Sequence, residues 1–326
     1  MIKAFKNSSA VQFLLIALTV VVLWSNAFFV PIAMTPSRYF SPIYSIFYNL
    51  LATMPRLASS IALIMILAQS LWLNIILTNN KMTKAHSFLP MLLYIALMSW
   101  HHDMLTISPL MLANFFLIAA STQLLSDGTT HLGPERNFNA AFFLSMMVLC
   151  CLPTLFFIIP FIFVYVVYKL YRWRNYAVGI LGLIAPFIVL LTYAFMTDKL
   201  QYYFILLQHD ITWFNLQNPH FSFLTLFPVG ILLLIVLVAV VFQLSTIGDG
   251  TTNQRINNSI LSLPLLAAII LIFYSQHKPV DFQTFAFSFA YIGTRFLWVE
   301  RKRKWISEVL LFLILASILL IHLISN

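Results

Sequence analysis

The sequence predicts an all-α polytopic membrane protein, a transmembrane helical bundle of about eleven spans with two outer interfacial amphipathic helices. Three observations predict it. Hydrophobic residues make up 61% of the 326 and charged residues only 8%, far below the roughly 25% charge of soluble domains. The apolar residues fall in runs close to the ~20 that a helix needs to cross a ~30 Å hydrocarbon core. The basic residues sit in short clusters between those runs, where they report orientation and argue against a nucleic-acid partner despite a net charge of +9. Eight glycines and fourteen prolines exclude collagen-like sequence, and the apolar content excludes disorder. Residues 1–326 read as one integral membrane domain.

The spans fall near residues 10–33, 57–78, 87–100, 105–124, 138–151, 154–169, 176–196, 222–246, 259–275, 282–298 and 305–323. The first follows Lys3 and Lys6 and is too long for the apolar core of a signal peptide, so it reads as an uncleaved span. Residues 138–151 and 154–169, joined at Cys151-Leu152-Pro153-Thr154, read either as two short helices or as one kinked helix, and that parity decides the topology. An amino terminus in the cytoplasm puts Lys81, Lys84, Arg136, Lys169, Arg172, Arg174, Arg255 and the run Arg301-Lys302-Arg303-Lys304 on one side. With Lys3 and Lys6 these are thirteen of the eighteen Lys and Arg. The positive-inside rule therefore predicts a bacterial inner membrane protein with its carboxyl terminus outside. The adjacent Cys150 and Cys151 cannot frame a disulfide network or a spaced metal site, and read as packed thiols.

Two outer stretches carry helical periodicity. Across residues 41–56, Ile43, Ile46, Phe47, Leu50, Leu51 and Met54 recur on one face, with Tyr44, Ser45, Tyr48, Asn49 and Thr53 opposite. Residues 199–216 place Leu200, Tyr203, Phe204, Leu207, Ile211 and Phe214 on one face and Gln201, Gln208, Thr212 and Asn215 on another. Both suit a helix at the headgroup level, and both are equally readable as plain connectors.

Titratable groups collect on the predicted outer side, which holds five of the eight histidines. Trp100-His101-His102-Asp103 occupies a tight turn between two spans, where an acid beside the bilayer is expected to be partly desolvated and to suit a general base. His209 and Asp210 lie in the long seventh-to-eighth loop with Asp198 and His220. His277, Lys278 and Asp281 share the ninth-to-tenth turn, in which Pro279 opposes one continuous helical face. Arg38, Arg56 and Lys278 are outer cations suited to a phosphate. Arg295 falls inside the tenth span, three residues from Trp298, and reads as a site residue or as a snorkelling one with Glu308 as a candidate partner. Asn26, Gln69, Asn74, Asn114 and Gln123 read as interhelical hydrogen-bond partners. Each polar turn has a plainer reading as a wet loop. No metal site is expected, a divalent cation has no support, and no cofactor is implied.

No P-loop, G-x-G-x-x-G, H-E-x-x-H or G-x-S-x-G occurs, which removes the ATPase, dinucleotide, zincin and nucleophile-elbow classes. The many spans, the amphipathic segments in two outer loops and the outer titratable groups together resemble the GT-C type of membrane glycosyltransferase. That resemblance implies a transferase or polymerase acting on polyprenyl-phosphate-linked sugars at the outer face. The chain's own titratable groups supply the candidates: His101, His102 and Asp103 as catalytic groups, and Arg38, Arg56, His209, Asp210, His277, Lys278, Asp281 and Arg295 for substrate binding. The chain departs from that class in two respects: residues 35–56 of the first outer loop, the class's usual place for a catalytic carboxylate, hold no Asp or Glu, and the soluble outer domain often found in the class is lacking. The segments Asn79-Asn80-Lys81-Met82-Thr83-Lys84, 108–117 and Gln276-His277-Lys278-Pro279 also resemble a family of bacterial multi-spanning proteins of about this length, a likeness that carries no reaction. A lipid-linked-glycan flippase or transporter and a non-catalytic assembly subunit are the rival expectations.

Overall fold

The computed structural model describes residues 9–30, 32–37, 39–83, 87–125, 132–170, 172–212, 251–274, 279–298 and 304–325. Among them are thirteen α-helices and no strand: α1 (Ser9–Phe29), α2 (Pro42–Leu51), α3 (Pro55–Asn79), α4 (Leu89–Met98), α5 (Pro109–Leu124), α6 (Pro134–Cys150), α7 (Ile158–Val167), α8 (Trp173–Met196), α9 (Leu200–Thr212), α10 (Thr252–Ser262), α11 (Pro264–Tyr274), α12 (Phe285–Trp298) and α13 (Lys304–Ser325). Short 3-10 turns cover His102–Met104, Leu152–Phe157 and Pro279–Thr284. Four stretches are long and apolar enough to cross a membrane: Gln12–Phe29, Pro55–Asn79, Trp173–Met196 and Thr252–Leu271. The last runs from α10 into α11 across Pro264, whose missing N–H breaks the ladder and separates the two helices. The expected segment 222–246 lies outside the described residues.

Several helix starts follow from local chemistry. Proline, preset for the first helical turn and lacking the N–H that would go unpaired there, opens α2, α3, α5, α6 and α11. Ser108 caps α5 by accepting from Met111 N at 3.1 Å. Thr251 and Gln254 form a reciprocal capping box at α10.

Three long helices turn large apolar side chains outward. In α1 the exposed face is Leu14, Leu18, Val21, Val22 and Phe29, opposite the buried Ile16, Leu23, Trp24 and Ala27. In α3 it is Leu57, Ile64, Leu71 and Ile75. In α8 it is Ile180, Ile184, Ile188, Val189 and Phe195, while Gly179, Gly182, Pro186 and Ala194 face the protein. Outward apolar stripes on inward small residues suit hydrocarbon as solvent.

The ten residues of α4 are all buried. At 1.5 Å per residue α4 is only about 15 Å long, and α1, α3, α12 and α13 pack around it. The uniformly apolar stretch 87–100, expected as a span, is therefore a half-length helix at the centre of the bundle. Tyr94 Oη donates to Gln69 Oε1 at 2.8 Å and Gln69 Nε2 donates to the Met111 carbonyl at 3.0 Å. These bonds tie α4, α3 and α5 together in the core. Gln69 and Asn114 thus serve as interhelical partners.

Residues 134–167 form two helices. Cys151 is extended, the chain turns through Leu152–Phe157, and α7 returns beside α6. Tyr165 Oη, near the end of α7, donates to Asn137 Oδ1 at 2.9 Å near the start of α6, which fixes the pair as an antiparallel hairpin.

The hairpins sort the bundle into two ends. At one end Asn257 Nδ2 donates to Asn80 Oδ1 at 3.3 Å, Arg136 Nε donates to the Gln123 carbonyl at 2.9 Å, and Tyr168 Oη donates to the Leu124 carbonyl at 2.5 Å. Lys81, Arg136, Lys169 and Arg255 lie at or beside these contacts. At the other end Leu152 N donates to the Phe40 carbonyl at 3.1 Å, Trp24 Nε1 donates to Ser99 Oγ at 2.9 Å, and Ser108 Oγ donates to Gln283 Oε1 at 2.6 Å.

The helix expected over 41–56 is α2, and it does not divide into the two expected faces. Tyr44 is 1% exposed, and Ile43, Phe47, Tyr48 and Leu51 pack against the core, whereas Ile46 and Leu50 are 59% and 68% exposed beside the exposed Ser45 and Asn49. The second expected amphipathic segment contains α9, with Tyr202, Phe204 and Ile205 exposed.

α6 packs closely against α8 at Gly182. A Cβ on Gly182 would lie 2.6 Å from the Phe138 carbonyl oxygen and 2.8 Å from Ala141 Cβ, whereas one on Gly133 would meet nothing within 4 Å. Gly182→Ala is therefore expected to destabilise by about 1–3 kcal/mol and Gly133→Ala to be near neutral. Melting of the purified variants in detergent checks the contrast.

Candidate functional site

Two features stand at the end opposite Lys81, Arg136 and Lys169. The first is the turn after α4. His101 is extended, and its Nδ1 accepts from Asp103 N at 3.3 Å while lying 3.6 Å from Asp103 Oδ2. The imidazole is 14% exposed and the carboxylate 59%. Trp100 packs edge-on to His101 at 6.2 Å and to Phe282 at 5.4 Å. That ring contact joins the turn to Pro279–Thr284.

An Nδ1 that accepts a backbone N–H leaves the neutral ring's proton on Nε2. Burial pushes the His101 imidazole below its ordinary value of 6.5, the Asp103 carboxylate pulls it back up, and His102 adds to the lowering. Neutral His101 is thus a donor through Nε2, and the exposed Asp103 carboxylate is the acceptor of the pair. Asp103 was expected to be desolvated; its exposure corrects that, because the turn holds the acid outward while the histidine takes the buried position. His102 is partly buried at the start of its 3-10 turn.

The second feature is a cleft of about 740 Å³ between the chain leading into α2, α2 itself, the end of α8 and the start of α9. Six of the thirteen tyrosines line it, namely Tyr39, Tyr44, Tyr48, Tyr193, Tyr202 and Tyr203, together with Asp198 and Lys199. Tyr44 Oη donates to the Thr35 carbonyl at 2.6 Å, and burial pushes this hydroxyl up to about 12, so the bond persists at any neutral pH. Phe40 and Tyr203 meet edge-on at 5.9 Å across the two walls.

The expected site residues divide. His101, His102 and Asp103 come together, and their turn packs against Pro279–Thr284. Asp281, expected on the rim of that turn, is buried at 7% exposure, because Pro279–Thr284 folds into the core instead of standing out as a loop. Arg56 is exposed in the first turn of α3. Arg295 lies in the last turn of α12, where a cation favours the helix's negative end. None of these residues lines the tyrosine cleft. Arg38, His220, His277 and Lys278 lie outside the described residues, as do the side chains of His209 and Asp210. The cleft was missed because three distant segments build it; the only advance signal was tyrosine crowding at 39–48 and 202–203. No group of three or more His, Cys, Asp or Glu suited to a metal ion occurs among the described residues.

Compared with known proteins, the chain matches no family model, no curated protein and no solved structure.

His101 carries a pH prediction. Its folded value lies below its unfolded one, so the unfolded chain takes up the proton first as pH falls. Its stabilising share is full above about 6.5 and is lost as pH drops below that. The melting temperature is expected to fall more steeply between about pH 7 and 5 in the wild type than in His101→Gln, read by parallel melts across that range.

Proposed function

We propose that the chain is an inner-membrane transferase of envelope glycan assembly, resembling the GT-C class, that passes a sugar from a polyprenyl-phosphate carrier to an acceptor hydroxyl. The observation that carries this reading is the His101–Asp103 pair. A carboxylate open to the aqueous side stands beside a partly buried imidazole that accepts the Asp103 N–H, at the end of a bundle whose flanks are apolar. In this reading Asp103 takes the acceptor proton and His101 Nε2–H donates to oxygen on the substrate. The apolar stripes of α1, α3 and α8 support a lipid-phase donor. The Gln69 amide, bonded at both its oxygen and its nitrogen, supports a packed core over a conducting path. Lipid-linked donors have an anionic phosphate, for which Arg56, Arg38 and Lys278 are the proposed outer cations.

The full topology belongs to the same proposal. The two helices at 134–167 support an odd count of eleven passes, which would put the amino terminus in the cytoplasm and the carboxyl terminus outside. Reporter tags on the two termini are expected to be reached from opposite compartments; a shared compartment refutes the topology.

Asp103→Asn keeps the shape of the turn and removes the base. Transfer from a polyprenyl-phosphate hexose in reconstituted vesicles is expected to drop by about 10²- to 10⁴-fold, with the melting temperature little changed. Transfer at the wild-type rate rejects the role.

A further inference from the structure

Three helices end in the same hydrogen-bonded motif. After α3 the Met82 N–H bonds the Leu77 carbonyl at 2.9 Å, after α7 the Leu170 N–H bonds the Tyr165 carbonyl at 2.9 Å, and after α8 the Lys199 N–H bonds the Ala194 carbonyl at 2.9 Å. In each, the residue before the closing N–H takes the left-handed conformation that glycine prefers: Lys81 at φ 56°, Lys169 at φ 54° and Asp198 at φ 53°. They are the non-glycine residues with positive φ among the described ones.

Lys81 and Lys169 have an electrostatic reason to be there, since a cation beside the last carbonyls favours the negative end of the helix. Asp198 has the opposite sign. A carboxylate at a helix carboxyl terminus is repelled by those carbonyls, whatever its tolerance of the left-handed conformation. Asp198 is therefore the local misfit of the three. It is also the one whose side chain lines the tyrosine cleft, and it is exposed there beside Lys199. An unfavourable residue placed at the wall of a cavity points to a ligand.

The chemistry of the cleft narrows that ligand. Tyr193 and Tyr202 are exposed on the wall that Asp198 terminates, with Tyr48 and the neutral donors and acceptors Ser45 and Asn49 on the α2 wall. Flat aromatic faces, hydroxyls and a carboxylate that accepts two or more hydrogen bonds match a polyhydroxylated ring better than a bare anion. The exposed Ile46 and Tyr193 at the rim connect the cleft to the apolar flank, so a head group could sit in it while its hydrocarbon chain stays outside.

We propose that the cleft between α2 and the α8–α9 corner binds the sugar ring of a lipid-linked donor, with Asp198 accepting hydrogen bonds from its hydroxyls. This deepens the transferase reading and rests on it. The test uses the full chain in lipid nanodiscs, titrated with a polyprenyl-phosphate hexose and, separately, with polyprenyl phosphate lacking the sugar. Wild type is expected to bind the hexose form at least about tenfold more tightly, the scale of one charge-assisted hydrogen bond. Asp198→Asn and Asp198→Gly are each expected to abolish that preference and to leave binding of the bare polyprenyl phosphate unchanged. Asp198→Gly should also melt a few degrees higher, since glycine relieves the cap. Asparagine tolerates the same backbone conformation, so a loss in both variants is not a folding failure.

Retention of the hexose preference in both variants overturns the cleft assignment and leaves the transferase reading to the Asp103 assay. Equal binding of the two lipids by wild type overturns the assignment too, and failure of wild type to bind either lipid overturns both. A melting temperature that does not rise in Asp198→Gly overturns the misfit argument on which the assignment stands.

Discussion

In hydrocarbon, backbone N–H and C=O groups have no solvent partner, so every interruption of a helix must be surrounded by protein or kept at the membrane face. That constraint organises this fold. The breaks after α4 and after α6 and the turn before α12 are each built from 3-10 hydrogen bonds, and they meet at one end of the bundle. The Leu152 N–H bonds the Phe40 carbonyl and Asn114 Nδ2 bonds the Gln283 carbonyl, while Trp100 against Phe282 and Ser108 Oγ to Gln283 Oε1 hold the breaks together. The half-length α4 exists on the same terms. Its carboxyl end stops short, yet its neighbours enclose it on every side, so the polar turn that follows is carried in protein.

Helices that meet lipid were legible because lipid and protein impose different faces. α1, α3 and α8 each set an outward apolar stripe against a buried face at helical spacing, and their expected limits lie close to the observed ones. α4 was misread for a physical reason: a helix buried all round by protein and one bathed in hydrocarbon have the same composition, and only its length of ten residues distinguishes them. The start of α10 was legible in principle. Thr251 and Gln254 carry the capping-box spacing, but the Asn-rich first turns of the helix masked the apolar run that follows. The hairpin at 134–167 was left open as two short helices or one kinked one, since Pro153 permits either, and it took the Tyr165–Asn137 bond to fix the chain reversal.

For the site, the adjacency of His101 and Asp103 made them readable together, and the turn holds them together. What sequence could not give was which of the two would be buried. A three-residue turn has one inward and one outward position, and the edge of Trp100 takes the inward place with His101. The cleft was illegible for a different reason. Its walls come from residues about 150 positions apart, and its distinguishing carboxylate is marked by a backbone angle, a property that composition and periodicity do not encode.

The three helix-ending motifs also bear on how basic residues are read in a membrane protein. Lys81 and Lys169 count toward the positive-inside rule, yet each also closes a helix whose carboxyl end it complements. Cap chemistry and orientation pull the same way wherever a helix runs from the outer to the inner face, because its negative end then arrives where lysine is preferred. α8 ends at the opposite end of the bundle from Lys81 and Lys169. In the proposed orientation that end is the outer one, where the orientation rule disfavours lysine while the cap still favours it, and glycine would satisfy both. Asp198 instead sets a negative charge beside the last carbonyls. Helix stability does not explain it, and the remaining demand on that position is the cleft it lines.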